Sequence, residues 1–190
     1  MLIKNIVFDF GGVLIDWNPV YLYDKVFTDK EKMKFFLDHI CSSGWNIQQD
    51  AGRPLAEATK LLQAKHPEYE NEIALFYGRW EEMLGGLLEE NVKLIKPLKE
   101  KYKIYGLTKG QYDFFNDLDG IVVSGEEKLI KPDPKLYRIL LDRYGIAAEE
   151  SLFIDDNRNN IVTAQSLNFN VIHFSEGVNL EETLKTMAVL

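Results

Sequence analysis

The feature that most constrains this chain is an alternation of two patterns. Short apolar runs rich in β-branched residues occur at 3–8 (IKNIVF), 104–107 (IYGL), 121–123 (IVV), 152–154 (LFI) and 171–174 (VIHF), each near a Gly or Asp. Runs that are apolar at successive positions read as strands covered on both faces, as in a parallel sheet. Helix-period patterns at 91–100, 134–144 and 159–167 lie between several of them. Strand and helix alternating in this way predict an α/β fold, a doubly wound parallel sheet. The interval 17–90 departs from the pattern: it holds no convincing strand and reads as amphipathic helices near 21–26, 30–40, 55–65 and 69–84. The expected organisation is an α/β core from 1–15 and 91–190, with a helical domain of 16–90 inserted after the first strand.

At 190 residues, 46% of them hydrophobic, the chain can bury such a core. Its 30 acidic and 22 basic residues leave a net charge of -8, which repels a phosphate backbone, and no basic run offsets it, so nucleic acid is not an expected partner. The lone Cys41 cannot form an internal disulfide, and the start MLIKNIVFDF is interrupted too early by Asp9 to serve as a signal peptide. No segment approaches a membrane span. These features point to a cytoplasmic protein; oligomeric state leaves no trace in the sequence.

In an open parallel sheet, ligands bind beyond the carboxyl ends of the strands. The residues there are Asp9, Thr108, Lys131 in the KLIKPDP loop, and the adjacent Asp155 and Asp156. Carboxylates suit a hard cation, while a hydroxyl and an ammonium suit phosphoryl oxygens. Each residue alone has a plainer explanation. A strand-end Asp often forms a turn or caps a helix, strand-end Thr is common, and Lys131 can be a solvated lysine ahead of a proline-started helix. Asp155 and Asp156 say more, because neighbouring like charges after an apolar strand are costly without a cation or donors.

The stretches FDFGGVLID, GLT, KLIKPDP and LFIDDNRNN, in that order and with a helical insertion after the first, resemble the four motifs of the haloacid dehalogenase-like hydrolases. The branch most similar contains sugar-phosphate phosphatases and the phosphatase domain of soluble epoxide hydrolase. The resemblance runs from about residue 3 to 174 and implies a Rossmann-like core, with 17–90 in the place of that family's helical cap. It implies Asp9 as the nucleophile forming an aspartyl-phosphate, and Thr108 and Lys131 as catalytic groups that bind the transferring phosphoryl group; Lys109, next to Thr108, adds a positive charge and is a candidate substrate contact of this chain's own. It also implies Mg²⁺ held by Asp9, the Gly11 carbonyl, Asp155 and Asp156, with Asn160 supporting them. The substrate so implied is a small phosphorylated metabolite.

The sequence departs from the family pattern in three places. Phosphatases of the family usually carry a second aspartate where Gly11 stands, and general acid–base catalysis of that kind contributes roughly 10²-fold to 10⁴-fold. Asp16 is a possible substitute, with a turn-forming role as its alternative. Substrates whose leaving group needs little protonation, such as a sugar 1-phosphate or an acyl phosphate, would evade the loss. Next, Lys109 replaces the asparagine common after the motif threonine. Finally, the link from Thr108 to the next strand is short for a parallel crossover, which needs a dozen or more residues.

Within the insertion, Trp17, Asn18, Trp45, Gln49, Asp50 and Arg53 are candidates to read the non-reacting part of a substrate, packing being the alternative for the aromatics. His39, His66 and His173 lack ligand spacing. Three functions are compatible with these residues: a Mg²⁺-dependent phosphatase, a catalytically weakened phosphate-binding protein, and a dehalogenase. The acidic pair speaks against the last.

Overall fold

The protein is described by a computed structural model covering residues 2–50, 52–108 and 118–190, the side chain of Asp50 excepted. The chain begins with β1 (Asn5–Phe8) and β2 (Ile15–Trp17), and continues through α1 (Val20–Val26), α2 (Lys30–Phe35) with a π-helical turn over Phe36–Ile40, α3 (Ser43–Asp50), α4 (Leu55–Lys65) and α5 (Glu70–Gly78) to β3 (Leu84–Leu87). Short helices α6 (Glu89–Val92) and α7 (Ile95–Lys99) lead into β4 (Lys103–Thr108). After β5 (Gly120–Val123) come α8 (Ser124–Glu127), α9 (Pro134–Tyr144), β6 (Ser151–Asp155), α10 (Arg158–Ser166), β7 (Asn170–His173) and α11 (Leu180–Thr186). Among the described residues no helix is long and apolar enough to cross a membrane.

All five expected strands join one sheet in the order β5-β4-β1-β6-β7, and every pairing in it is parallel. The unbroken apolar runs are explained by the two-residue period of a strand. Ile6, Phe8, Ile104, Leu152 and Ile154 enter a core on one face with Leu98 and Leu184. Val7, Tyr105, Leu107 and Phe153 enter a core on the other with Tyr137, Leu140 and Ile161. Helix α9 starts as its sequence predicts, with Pro134 in the first turn and the Asp133 carboxylate accepting from the Lys135 N–H at 2.9 Å. The pattern at 91–100 splits into α6 and α7, because Pro97 lacks an N–H and is tolerated only in a first turn. The short link between β4 and β5 lies, apart from Leu118 and Asp119, outside the described residues.

The insertion corrects the expectation of an interval without strands. β2 pairs antiparallel with β3 into a ribbon at its base, and the helix expected over 69–84 stops at Gly78, gives way to a 3-10 turn over Trp80–Met83 and ends in that strand. The Gly85-Gly86 pair lowers the β propensity of β3, which is therefore visible only through its partner. Helix α3 lies outside the expected helices: it is polar and contains Gly44, and packing of Trp45 against Phe76 at 5.2 Å holds it in place. The insertion has its own apolar cluster, including Leu22, Tyr23, Phe36, Ile40, Trp45, Ile73 and Phe76.

One glycine ties the sheet to the loop after β1. A Cβ on Gly106 would stand 2.7 Å from Cζ of the fully buried Phe10 ring. Gly106→Ala is expected to lower the unfolding free energy by about 1–3 kcal/mol through overpacking, read from urea titration; an unchanged midpoint would mean that the ring yields freely.

Candidate active site

The loop after β1 turns around a single acceptor. The Phe10 carbonyl receives the N–H groups of Val13 at 3.3 Å and of Leu14 and Ile15 at 2.8 Å, while the Asp9 N–H continues the ladder to the Ile154 carbonyl at 2.9 Å. Asp9 is thereby fixed at the mouth of the sheet beside the end of β6, and its Oδ1 accepts from the Phe10 N–H at 2.7 Å. Gly11 follows, and its pairing with Ile15 uses the Phe10 carbonyl and the Gly12 N–H, leaving the Gly11 carbonyl out of that pairing. A Cβ on Gly11 would meet nothing within 4 Å, so the place of the absent acid is open space.

Lys131 is only 3% exposed, which excludes the solvated-lysine reading. Its Nζ lies 2.9 Å from Asp9 Oδ2 and 2.8 Å from Asp155 Oδ2, and it donates to the Leu107 carbonyl at 2.8 Å. It also sits 5.7 Å from the centre of the Phe153 ring. Burial opposes its charge, but the two carboxylates outweigh burial and hold its pKa above the ordinary lysine value. Asp9 behaves differently. Burial, opposed by Lys131 and reinforced by Asp155 and Asp156, pushes its carboxyl up to about 7.

Asp155 is fully buried and heavily tethered. Oδ1 accepts from the Asn157 N–H at 2.8 Å, and Asn160 Nδ2 reaches Oδ1 at 2.9 Å and Oδ2 at 3.0 Å. Asn160 is held in turn, because the Tyr137 hydroxyl donates to its carbonyl at 3.1 Å. Asp156 is exposed. Asp9, Asp155 and Asp156 each offer an oxygen within 4.8 Å of the others. Three carboxylates facing one ammonium form an oxygen-only donor set with excess negative charge, which fits a hard divalent cation such as Mg²⁺.

The structure thus brings together Asp9, Lys131, Asp155, Asp156 and Asn160. Thr108 closes β4, buried and in register with Val123 of the neighbouring strand. Lys109 and the side chain of Asp50 lie outside the described residues. Asp16 is engaged on the insertion ribbon, where Oδ2 accepts from the Tyr21 hydroxyl at 2.7 Å. In the insertion, Trp17 packs on Trp80 at 5.2 Å, Tyr77 on Trp80 at 6.0 Å and Trp45 on Tyr77 at 5.4 Å. Asn18 accepts from the Val20 N–H at 2.9 Å, and Arg53 donates to Gln48 at 2.7 Å. Among the described residues, Trp17 Nε1, Gln49 Oε1 and Ser124 Oγ are buried polar atoms without a hydrogen-bond partner. Sequence reasoning missed the supports: Tyr137, the Asn157 N–H, the Leu107 carbonyl, and His173, whose Nε2 is 3.0 Å from the Asp156 carbonyl.

Comparison with known proteins yields consistent findings. The sequence model of the haloacid dehalogenase-like hydrolases matches residues 3–168. Sesquiterpene phosphatase astK of Aspergillus oryzae is 24% identical over 189 residues, covering 92% of this chain and 91% of its own. A HAD family enzyme of Bacteroides thetaiotaomicron, crystallised with magnesium and inorganic phosphate, superposes with a TM-score of 0.70 at 23% identity, covering 95% of this chain and 98% of that one. The L-2-haloacid dehalogenase PA0810 shares the fold with a TM-score of 0.65 at 16% identity, covering 93% and 86%.

Gly12 is where this site tolerates least. Its φ is +74°, and a Cβ there would lie 2.2 Å from Asp156 Oδ2. Gly12→Ala is expected to cost about 1–2 kcal/mol for the left-handed backbone alone and to weaken divalent-cation uptake by displacing Asp156. Urea unfolding and calorimetric titration with Mg²⁺ check both effects.

Proposed function

From the premise that the chain belongs to the haloacid dehalogenase-like hydrolases, whose sequence model spans residues 3–168, we propose that it is a Mg²⁺-dependent phosphatase of a small phosphorylated metabolite. The observation that carries this reading is the Lys131 ammonium bound between Asp9 and Asp155, with Asp156 completing the acidic cluster. Asp9, Asp155, Asp156 and the Gly11 carbonyl would hold the cation, which supplies charge neutralisation to an incoming phosphate dianion.

A carboxylate of Asp9 attacks phosphorus, the bond to the ester oxygen breaks, and the leaving oxygen takes a proton from water. Lys131 balances charge on Asp9 and on the phosphoryl oxygens, with the Thr108 hydroxyl as a hydrogen-bonding group at the adjacent strand end. Water then cleaves the aspartyl-phosphate, releasing inorganic phosphate and restoring Asp9. With glycine at position 11 neither proton transfer has a side-chain partner there, so turnover is slow, and leaving groups that need little protonation, a sugar 1-phosphate among them, are favoured. The insertion would supply selectivity: the ring row of Trp45, Tyr77, Trp80 and Trp17, with the unpaired Gln49 Oε1 and Trp17 Nε1, supports recognition of an organic body bearing polar groups.

The open space at Gly11 favours one second reading, a phosphate-binding protein without turnover. Phosphate release from a panel of sugar phosphates, acyl phosphates and nucleotides, with Mg²⁺ and with chelator, separates the two. Activity is expected with Mg²⁺ only and is expected to vanish in Asp9→Asn, which keeps the fold because burial already opposes the Asp9 charge. No release across the panel would favour the binding protein. Gly11→Asp is expected to raise kcat by about 10²-fold, since its side chain enters unoccupied room.

A further inference from the structure

The exposed member of the acidic cluster is held from an unexpected direction. Asp155 is tethered by Lys131, Asn157 and Asn160, whereas the backbone of Asp156 is reached from the edge strand β7. Register pairs Asp155 with His173, and the Phe174 N–H donates to the Asp155 carbonyl at 2.9 Å. Backbone pairing ends there. One residue further on, the His173 ring takes over, with Nε2 3.0 Å from the Asp156 carbonyl oxygen. A carbonyl only accepts, so Nε2 carries the proton, as it does both in the neutral Nε2–H tautomer and in the imidazolium.

We infer that His173 is a positioning residue for the cation site, extending the β6–β7 ladder by one side-chain bond to set the peptide from which the Asp156 carboxylate projects. The geometry at the carboxylate end agrees. The Asp156 carboxylate occupies the space a Gly12 side chain would fill, so its range is bounded by the β1 loop, while His173 holds the backbone from which it projects. Groups that orient a metal ligand without touching the metal typically change metal affinity by about 10-fold to 100-fold when removed. The inference rests on the reading of the acidic cluster as a Mg²⁺ site.

The experiment is calorimetric titration of MgCl₂ alone into the parent, His173→Met and His173→Gln, with urea unfolding of each in chelator. Methionine removes the N–H while keeping apolar bulk; glutamine retains an N–H near the Nε2 position. The expected result is a Mg²⁺ Kd about 10-fold or more weaker for His173→Met, most of that loss restored in His173→Gln, and chelator unfolding midpoints matching the parent. Uptake by His173→Met as tight as by the parent would overturn the inference. Equal weakening in both variants with a lowered midpoint would assign His173 to the stability of the sheet edge instead and would also overturn it. Failure of the parent to take up Mg²⁺ would remove the cation-site reading itself, and this inference with it.

Discussion

The arrangement depends on one buried ammonium. Lys131 has its charged end at the carboxyl ends of three adjacent strands, touching the Leu107 carbonyl of β4, Asp9 after β1 and Asp155 of β6. An isolated charge at such depth would be costly, and so would either carboxylate. Together they compensate, with the Phe153 ring beneath the cation. The compensation is incomplete, because three carboxylates face one ammonium, and Asp9 shows it in a carboxyl pushed up to about 7 by burial and by its acidic neighbours. Such an excess of negative charge at one point suits a divalent cation.

Rigidity around that point comes from hydrogen bonds beyond the ion pairs. The Phe10 carbonyl gathers three amides of the β1 loop, and Phe10 itself is locked by its ring against Gly106, so the nucleophile candidate is anchored on both sides. Asp155 is fixed through Asn160, and Asn160 through Tyr137 of α9, which belongs to the core on one face of the sheet. Packing on the sheet face is in this way transmitted to a carboxylate orientation. Chemistry that relies on placement and electrostatics needs this kind of preorganisation.

The insertion contributes a separate apolar cluster and a two-stranded base. Its return is stitched to the β1 loop by Leu88 N–H to the Leu14 carbonyl at 2.9 Å and by Asn91 Nδ2 to the Val13 carbonyl at 2.7 Å. The loop that carries Asp9 is therefore also the attachment point of the element proposed to select the substrate. Position 11, with no side chain and no neighbour within 4 Å of a Cβ, lies in that same loop.

The sequence by itself determined the five core strands and their covered faces, because each residue's period and side-chain chemistry are local. Asp9, Lys131, Asp155 and Asp156 were legible as the residues that follow those runs, and Asn160 through the motif resemblance alone; the order of the strands in the sheet was not. Tertiary structure alone decided the rest. β3 hides behind Gly85-Gly86 and exists because β2 lies opposite; α3 is polar and is held by Trp45 packing on Phe76. Tyr137 is 23 residues from Asn160 and His173 is 17 from Asp156 in the chain, and nothing local announces either pairing. Distances of a few ångströms between side chains on different strands are set by register and packing, which no single segment encodes.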